Sequence, residues 1–384
     1  MSFLPMMEAW PRPRVEALYA GITPEEVDAA LHRDRRSLRD LAVLLSPCAR
    51  PRLEDMAHAA HQLTRRHFGR TVSLYAPLYI SNLCAADCLY CGFAAHSGSR
   101  EKRTTLSPEQ IRRECEALQA MGYQSVLLLT GDAPRAVPLN YIADAVGIAR
   151  EFFPSVAVEI YALDTDGYRT LCGRGLEGVT LYMETYDRET YAQVHQGGDK
   201  MNYDFRLDAI ARAGEAGARR LSIGVLLGLC DWHIDVIWLA MHARWLQKQC
   251  WRSALSISFP RLRHTPPRFA IPCPVSDADL VQIMLGLRLF LPEVGFNLST
   301  RETPAFRDKL IPLGITAMSA GSSTRPGGYV THRAGYTGHS RPGAPVLEQF
   351  EIDDRRSPAE VVAAIRRAGY DPVWKDFDRA YDNN

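Results

Sequence analysis

A barrel of eight parallel strands alternating with helices is the α/β architecture predicted here, and three observations predict it. Eight short runs rich in β-branched and aliphatic residues lie between residues 75 and 319: YAPLYI (75–80), SVLLLT (125–130), VAVEIY (156–161), GVTLYM (178–183), LSIGVL (221–226), ALSISF (254–259), GFNLS (295–299) and GITAMS (314–319). Amphipathic stretches separate most of them, and strands alternating with helices argue a parallel sheet. Eight is also the strand count that closes a TIM-type (βα)8 barrel. Periodicity alone leaves an open sheet as the alternative.

The elements read in order as follows. Residues 1–70 form an N-terminal helical region, in which LLSPCARPRLEDMAHAAHQLTRRHFGR (44–70) has a Pro-bounded start at Pro51 and apolar residues at helical spacing. Residues 71–320 hold the alternating pattern. SPEQIRRECEALQAMG (107–122) opens with a capping box, Ser107 with Gln110, and ends at Gly122. NYDFRLDAIARAGEAG (202–217) and ADLVQIMLGLRLFL (278–291) fit a 3.6-residue period. Residues 321–384 form a C-terminal extension. Its first part, 321–346, is rich in Gly, Ser, Pro and Arg and reads as a mobile loop or a functional lid. Its helix, SPAEVVAAIRRAGY (357–370), carries a second capping box, Ser357 with Glu360. No internal repeat exists beyond the βα unit.

Composition narrows the function classes. With 384 residues, 46% hydrophobic and 23% charged, the chain is neither collagenous nor mainly disordered. Lys and Arg (45) nearly balance Asp and Glu (44), which argues against a dedicated nucleic-acid binder. The start, MSFLPMMEAWPRPR, lacks a basic region followed by an apolar run, and no apolar run is long enough to span a membrane. Nine cysteines are too few, and odd in number, for a disulfide scaffold. A reducing cytoplasm is therefore expected, where clustered cysteines suggest metal or catalysis.

Three of the nine do cluster. Cys84, Cys88 and Cys91 are spaced C-x3-C-x2-C directly after the first strand, in LYISNLCAADCLYCGF. Chemistry in a βα barrel sits at the C-terminal ends of the strands, so this loop is where a site belongs. Thiolates bind soft metals and iron–sulfur clusters. Three of them can hold three irons of a [4Fe–4S] cube and leave the fourth open. The alternative is zinc, which needs a fourth ligand such as His96 or a remote cysteine. Cys48, Cys115, Cys172, Cys230, Cys250 and Cys273 lie singly and read as buried small residues.

This spacing, with aromatic Tyr90 before the last cysteine, resembles the signature of the radical S-adenosylmethionine (SAM) superfamily. The resemblance implies a radical SAM barrel with one [4Fe–4S] cluster whose open iron chelates the amino and carboxylate groups of SAM. An electron then splits the sulfonium into methionine and a 5′-deoxyadenosyl radical. TGD (130–132) ends the second strand, where the superfamily places a Gly-Glu-type motif against the SAM amino group. The matching residues are Gly131 and Asp132, the latter one methylene shorter than Glu. A plain Gly-Asp turn is the alternative. METY (183–186) places Glu184 where a ribose-contacting acid belongs. YDFRLDAIARAGEAGARRLSIGVLLGL (203–229) resembles a stretch of biotin synthase. That likeness assigns Arg206 to the SAM carboxylate, and Gly224 and Gly228 to the adenine, with Leu226 in place of Ile. A surface Arg206 is the alternative.

Further stretches together resemble one family: KRTTL (102–106), LLLTGD, METYDRETY, SFPRLR (258–263), LSTRE (298–302), RPGGY (325–329) and PVWKDFD (372–378). They look like the 2-iminoacetate synthases, tyrosine lyases of bacterial thiamine biosynthesis, from about residue 70 to the end. The resemblance implies hydrogen abstraction from the amino group of L-tyrosine and cleavage of Cα–Cβ to 2-iminoacetate and p-cresol. It also implies thiazole synthase as the partner taking the imine, and a reductase or flavodoxin-type electron donor. Zwitterionic tyrosine wants a cation for its carboxylate. Arg261, Arg263, Ser299, Thr300 and Arg301 lie at the ends of strands six and seven, where they could supply it. Pairing of these arginines with protein acids such as Glu302 is the alternative. PVWKDFD reads as a packed tail or an interface. Two related enzymes also fit, the tyrosine lyase of hydrogenase maturation and a tyrosine-using enzyme of deazaflavin synthesis. From a different class, a non-catalytic iron–sulfur or zinc protein fits. The hydrogenase enzyme carries a second cluster on C-terminal cysteines, whereas the 111 residues after Cys273 contain none.

Overall fold

The computed structural model describes residues 1–99, 102–264, 269–333 and 347–375. All eight predicted strands form: β1 (Thr71–Tyr79), β2 (Ser125–Leu129), β3 (Ser155–Glu159), β4 (Gly178–Thr180), β5 (Arg220–Gly224), β6 (Ala254–Ser258), β7 (Gly295–Leu298) and β8 (Ala317–Ser319). Each pairs in parallel with the next. β1 pairs with both β2 (Ala76 opposite Val126) and β8 (Tyr75 opposite Ser319), so the sheet closes and the open-sheet alternative falls. Alternation along β1 shows how the barrel sorts its side chains. Val72, Leu74, Ala76 and Leu78 are buried in the main core, while Tyr75, Pro77 and Tyr79 line the lumen.

One strand was not predicted. β9 (Asp371–Val373) lies beside Thr71–Ser73, on the edge of β1 that β2 leaves free. Trp374 then meets Tyr123 edge-on at 5.3 Å, so this part of PVWKDFD is packed. Residues 376–378 lie outside the described residues, as do 334–346 of the Gly/Ser-rich segment.

Both capping boxes form. Ser107 opens the helix Pro108–Ala120, and Ser357 opens Pro358–Arg367. The predicted single helix over 202–217 is instead two, Tyr203–Leu207 and Ala209–Glu215. At the joint, the Asp208 carboxylate leaves the helix path to accept the Phe3 N–H (2.8 Å). The helix Asp277–Phe290 is buried along almost its whole length because it is sandwiched. One side faces the barrel. The other packs on the N-terminal helices Leu38–Leu45 and Leu53–Phe68, around Val43, Leu44, Met56, Leu285 and Leu289. Its Arg288 is fully buried: the two terminal nitrogens donate to the carbonyls of Val294 and Gly314, each at 2.7 Å, the guanidinium lies over the Phe296 ring, and Nε has no partner among the described residues. No helix among the described residues is long and apolar enough to cross a membrane.

Candidate active site

The C-terminal ends of the strands surround a cavity of about 130 Å³. Tyr75, Tyr182 and Asn297 separate it from a smaller one, about 60 Å³, lower in the barrel. Cys91, Arg301 and Phe350 line its upper part.

The cysteine loop is held from three directions. Below it, Gly131 follows β2. A Cβ there would run into the Leu83 carbonyl and lie 2.8 Å from Cys84 Cβ, so the position takes no side chain. The Asp132 carbonyl accepts the Ala85 N–H (2.7 Å). On a second side, Leu89 N–H donates to Val194 and Gln196 N–H to Asp87, each at 3.1 Å. On the third, Gly92 N–H donates to the Gln349 carbonyl (3.1 Å), and the Asn82 amide to the Leu347 carbonyl (3.1 Å). The loop's path is thus fixed mainly by bonds that do not involve the sulfurs, whose own contacts are local: Cys84 Sγ lies 3.7 Å from the Ala86 carbonyl, and Cys91 Sγ accepts from the Phe93 N–H (3.4 Å). All nine cysteines are free thiols. Of the six single ones, Cys115, Cys230 and Cys250 are buried as expected, whereas Cys48, Cys172 and Cys273 are only half-buried.

Burial, together with the neighbouring thiols, pushes Cys88 up to about 11 and Cys91 up to about 12; burial also raises Cys84. Loading such thiols with metal releases protons. Among the described residues, no group of three His, Cys, Asp or Glu side chains is gathered tightly enough for a single metal ion. A cube with each cysteine on a different iron does not require that, whereas a mononuclear zinc site does. His96, the candidate fourth zinc ligand, is exposed and paired with Asp87 (3.1 Å).

Beside the loop lies a polar cluster whose centre the sequence did not reveal. The Lys200 side chain is largely buried and donates to Glu184 (2.8 Å) and to the Tyr90 hydroxyl (3.3 Å). Tyr90 in turn donates to His195 Nε2 (2.8 Å), because Nδ1 of that ring faces the Tyr191 carbonyl and must carry the proton. Burial lowers His195 to about 2, so the ring stays neutral. Burial alone would raise the Glu184 carboxyl, but Lys200 and Arg206 hold it below its ordinary value. Glu184 is also the one non-glycine residue with positive φ (67°) among the described residues, a strain that collects at functional sites.

Arg206 is buried, not on the surface. Its Nε donates to the Tyr182 carbonyl (2.8 Å) and its fork lies 3.7 Å from Glu184. Asp132 is largely withdrawn from water, and its Oδ1 has no partner among the described residues. Burial raises this carboxyl. Asp132, Lys200 and Arg206 line a second opening of about 460 Å³, which shares Lys200 with the barrel cavity. An unpaired acceptor beside two cations fits a ligand bearing both an ammonium and a carboxylate, which SAM does. Gly224 is required by close packing, since a Cβ there would strike the Ser258 carbonyl and stand 2.7 Å from the Tyr182 ring. Gly228 adopts a positive φ (113°).

The three arginines separate. Arg261 is held by Glu302 (2.6 Å) and by Asp277, and Arg263 by Glu302 (3.1 Å) and Asp353 (2.9 Å). For these two, the pairing with protein acids left open above is what the fold produces, and neither lines the cavity. Arg301 does line it, with Ser299 and Thr300. Its guanidinium stacks over Phe350 at 3.5 Å and has no acidic partner among the described residues.

Fold and site together define a radical SAM barrel. Residues 78–238 match the Radical SAM superfamily, and residues 258–371 match the Biotin and Thiamin Synthesis associated domain. The chain is 42% identical over 359 residues to the 2-iminoacetate synthase of Salmonella typhimurium, covering 93% of this chain and 92% of that one. It is equally similar, 42% with the same coverage, to the 2-iminoacetate synthase of Escherichia coli. The crystal structure of HydG, a maturase of the [FeFe]-hydrogenase, superposes with a TM-score of 0.85 at 32% identity, over 95% of this chain and 79% of that one. The chain belongs to the 2-iminoacetate synthase family of radical SAM enzymes. Its cofactors are those of that class, a [4Fe–4S] cluster and SAM.

Proposed function

We propose that this chain cleaves the Cα–Cβ bond of L-tyrosine, giving 2-iminoacetate and p-cresol for thiazole formation in thiamine biosynthesis. The observation that carries the reading is Arg301, a guanidinium facing the same cavity as Cys91 without an acidic partner among the described residues. An arginine partly withdrawn from water without a counter-ion is costly, and the carboxylate of an amino acid supplies one.

In this reading Cys84, Cys88 and Cys91 hold the cluster. Bound there with SAM, it supplies a 5′-deoxyadenosyl radical. Asp132 accepts from the SAM ammonium, Arg206 takes its carboxylate, and Glu184, held by Lys200, meets the ribose. The stretch from Gly224 to Gly228 borders the adenine, near Tyr90. Arg301 takes the tyrosine carboxylate, with the Ser299 and Thr300 hydroxyls beside it. Arg261 and Arg263 hold that loop through Glu302. A closed barrel lined by Tyr79, Leu127 and Leu129 keeps water from the reacting bond. An electron donor of the flavodoxin or reductase type, thiazole synthase as the acceptor of the imine, and a cytoplasmic location complete the proposal.

The likeness to HydG favours a second reading, in which the imine is broken down further. The higher identity to the 2-iminoacetate synthases, 42% against 32% for HydG, supports the first reading over it. The test is anaerobic incubation of the reconstituted protein with SAM, a reductant and L-tyrosine. p-Cresol is expected, and its absence while SAM is still cleaved would overturn the proposal.

A further inference from the structure

Glu159 ends β3 and lines the barrel cavity. Its neighbours in the chain, Val158 and Ile160, are buried, whereas Glu159 keeps partial exposure. No hydrogen bond or ion pair engages its carboxylate among the described residues. The other acids of this region are committed: Glu184 to Lys200, and Glu302 to Arg261 and Arg263. Burial, aided by Glu184 and opposed by Arg301, Lys200 and Arg206, raises Glu159 to about 7. A withdrawn carboxyl without a partner is destabilising, so its presence calls for a ligand that donates to it.

Depth in the barrel indicates which part of a ligand that is. Glu159 lies inside the strand register, opposite Leu129 on one side and Thr180 on the other. Arg301 lies three residues beyond the last residue of β7, in the loop above. The floor of the cavity is aromatic and polar, made by Tyr75, Tyr182 and Asn297. An amino acid anchored by its carboxylate on Arg301 keeps its amino group high, on the side of the cysteine loop, and sends its side chain down. The far end of that side chain then reaches the level of Glu159.

We propose that Glu159 accepts a hydrogen bond from the phenol of the substrate and thereby selects tyrosine over phenylalanine. The proposal rests on the tyrosine-lyase reading above. A site built around a substrate hydroxyl rejects the analogue that lacks it, because the acceptor is then left unpaired. Removing the acceptor should therefore harm tyrosine binding and spare phenylalanine.

The experiment uses the reconstituted holoenzyme with SAM and reductant. It reads the KM for L-tyrosine and the Ki of L-phenylalanine against p-cresol formation, with iron content as the control for folding. Glu159→Leu should raise the tyrosine KM by roughly 10- to 150-fold, the range of a hydrogen bond to a charged group. The phenylalanine Ki should hold or fall. Glu159→Gln keeps an acceptor oxygen and should shift the tyrosine KM less; if the Leu variant does not load iron, Gln is read by the same tyrosine-against-phenylalanine criterion. Constants for both amino acids moving together would mean that Glu159 meets the shared ammonium or only supports the fold, and would overturn the proposal. So would an unchanged tyrosine KM. Wild-type protein that forms no p-cresol at all would instead defeat the tyrosine-lyase reading.

Discussion

Replacing Lys200 by Met tests whether the buried cluster beside the cysteine loop is a charge-balanced unit. Lys200 and Glu184 are 2.8 Å apart, and their side chains are only 11% and 13% exposed. At that distance, and an effective dielectric near 20, the gross attraction is ~6 kcal/mol. Much of it offsets the loss of hydration. Arg206 is a further cation near Glu184, at 3.7 Å. Removing one partner of such a pair leaves the other charge buried and costs about 3–5 kcal/mol, with the low end expected because the cluster borders a cavity. Removing both, in Lys200→Met/Glu184→Gln, should cost less than the two single changes added together, by about 2 kcal/mol or more. Urea unfolding of the cofactor-free chain under reducing conditions measures all four corners of the cycle. Single-variant losses that simply add would refute the reasoning and make Lys200 an independent surface group.

Three further outcomes follow from the same geometry. Cys88→Ala should lose iron and reductive SAM cleavage while Cys172→Ala keeps both, and SAM cleavage retained by the first variant would remove Cys88 from the ligand set. Arg206→Ala should weaken SAM binding by roughly 10- to 150-fold in an equilibrium titration, the range of a charge-assisted bidentate pair; an unchanged dissociation constant would release Arg206 from that role. His242 is buried against Tyr186 (2.8 Å) and Phe3, and burial lowers it to about 3. The unfolded chain therefore binds the proton first, so its stabilising effect is complete above pH ~6.5 and is lost as pH falls towards the folded value, by about 1.4 kcal/mol per pH unit. His242→Gln should flatten the stability profile between pH 6.5 and 5, and a slope equal to that of the wild type would show that His242 is not held neutral.

The barrel was legible because each strand is a short apolar run bounded by polar or glycine-rich turns, and because the capping boxes at Ser107 and Ser357 mark helix starts locally. β9 was not, since three residues including Pro372 form a strand only against the free edge of β1. The break at Asp208 was hidden by an apolar period that runs through it, and only the contact with Phe3 reveals it. In the site, Cys84, Cys88 and Cys91 announce themselves by their spacing on one loop. Lys200 carries no such signal. It lies in the short 3-10 turn Asp199–Met201, after Gly197 and Gly198, and the fold alone brings it to Glu184. Glu159 carries no signal within VAVEIY, because nothing in an alternating strand says which face meets a cavity. Arg261 and Arg301 look alike in sequence, and the difference lies in Glu302, which engages the first and not the second.

The central claim is tested most directly by product stoichiometry. Anaerobic turnover of the reconstituted protein with SAM, reductant and L-tyrosine, without thiazole synthase, should give p-cresol and glyoxylate from hydrolysis of the imine in equal amounts, with no carbon monoxide. Carbon monoxide released in step with p-cresol would contradict the account and place the chain with the hydrogenase maturases. SAM cleavage with no p-cresol would contradict it more deeply, by removing tyrosine as the substrate.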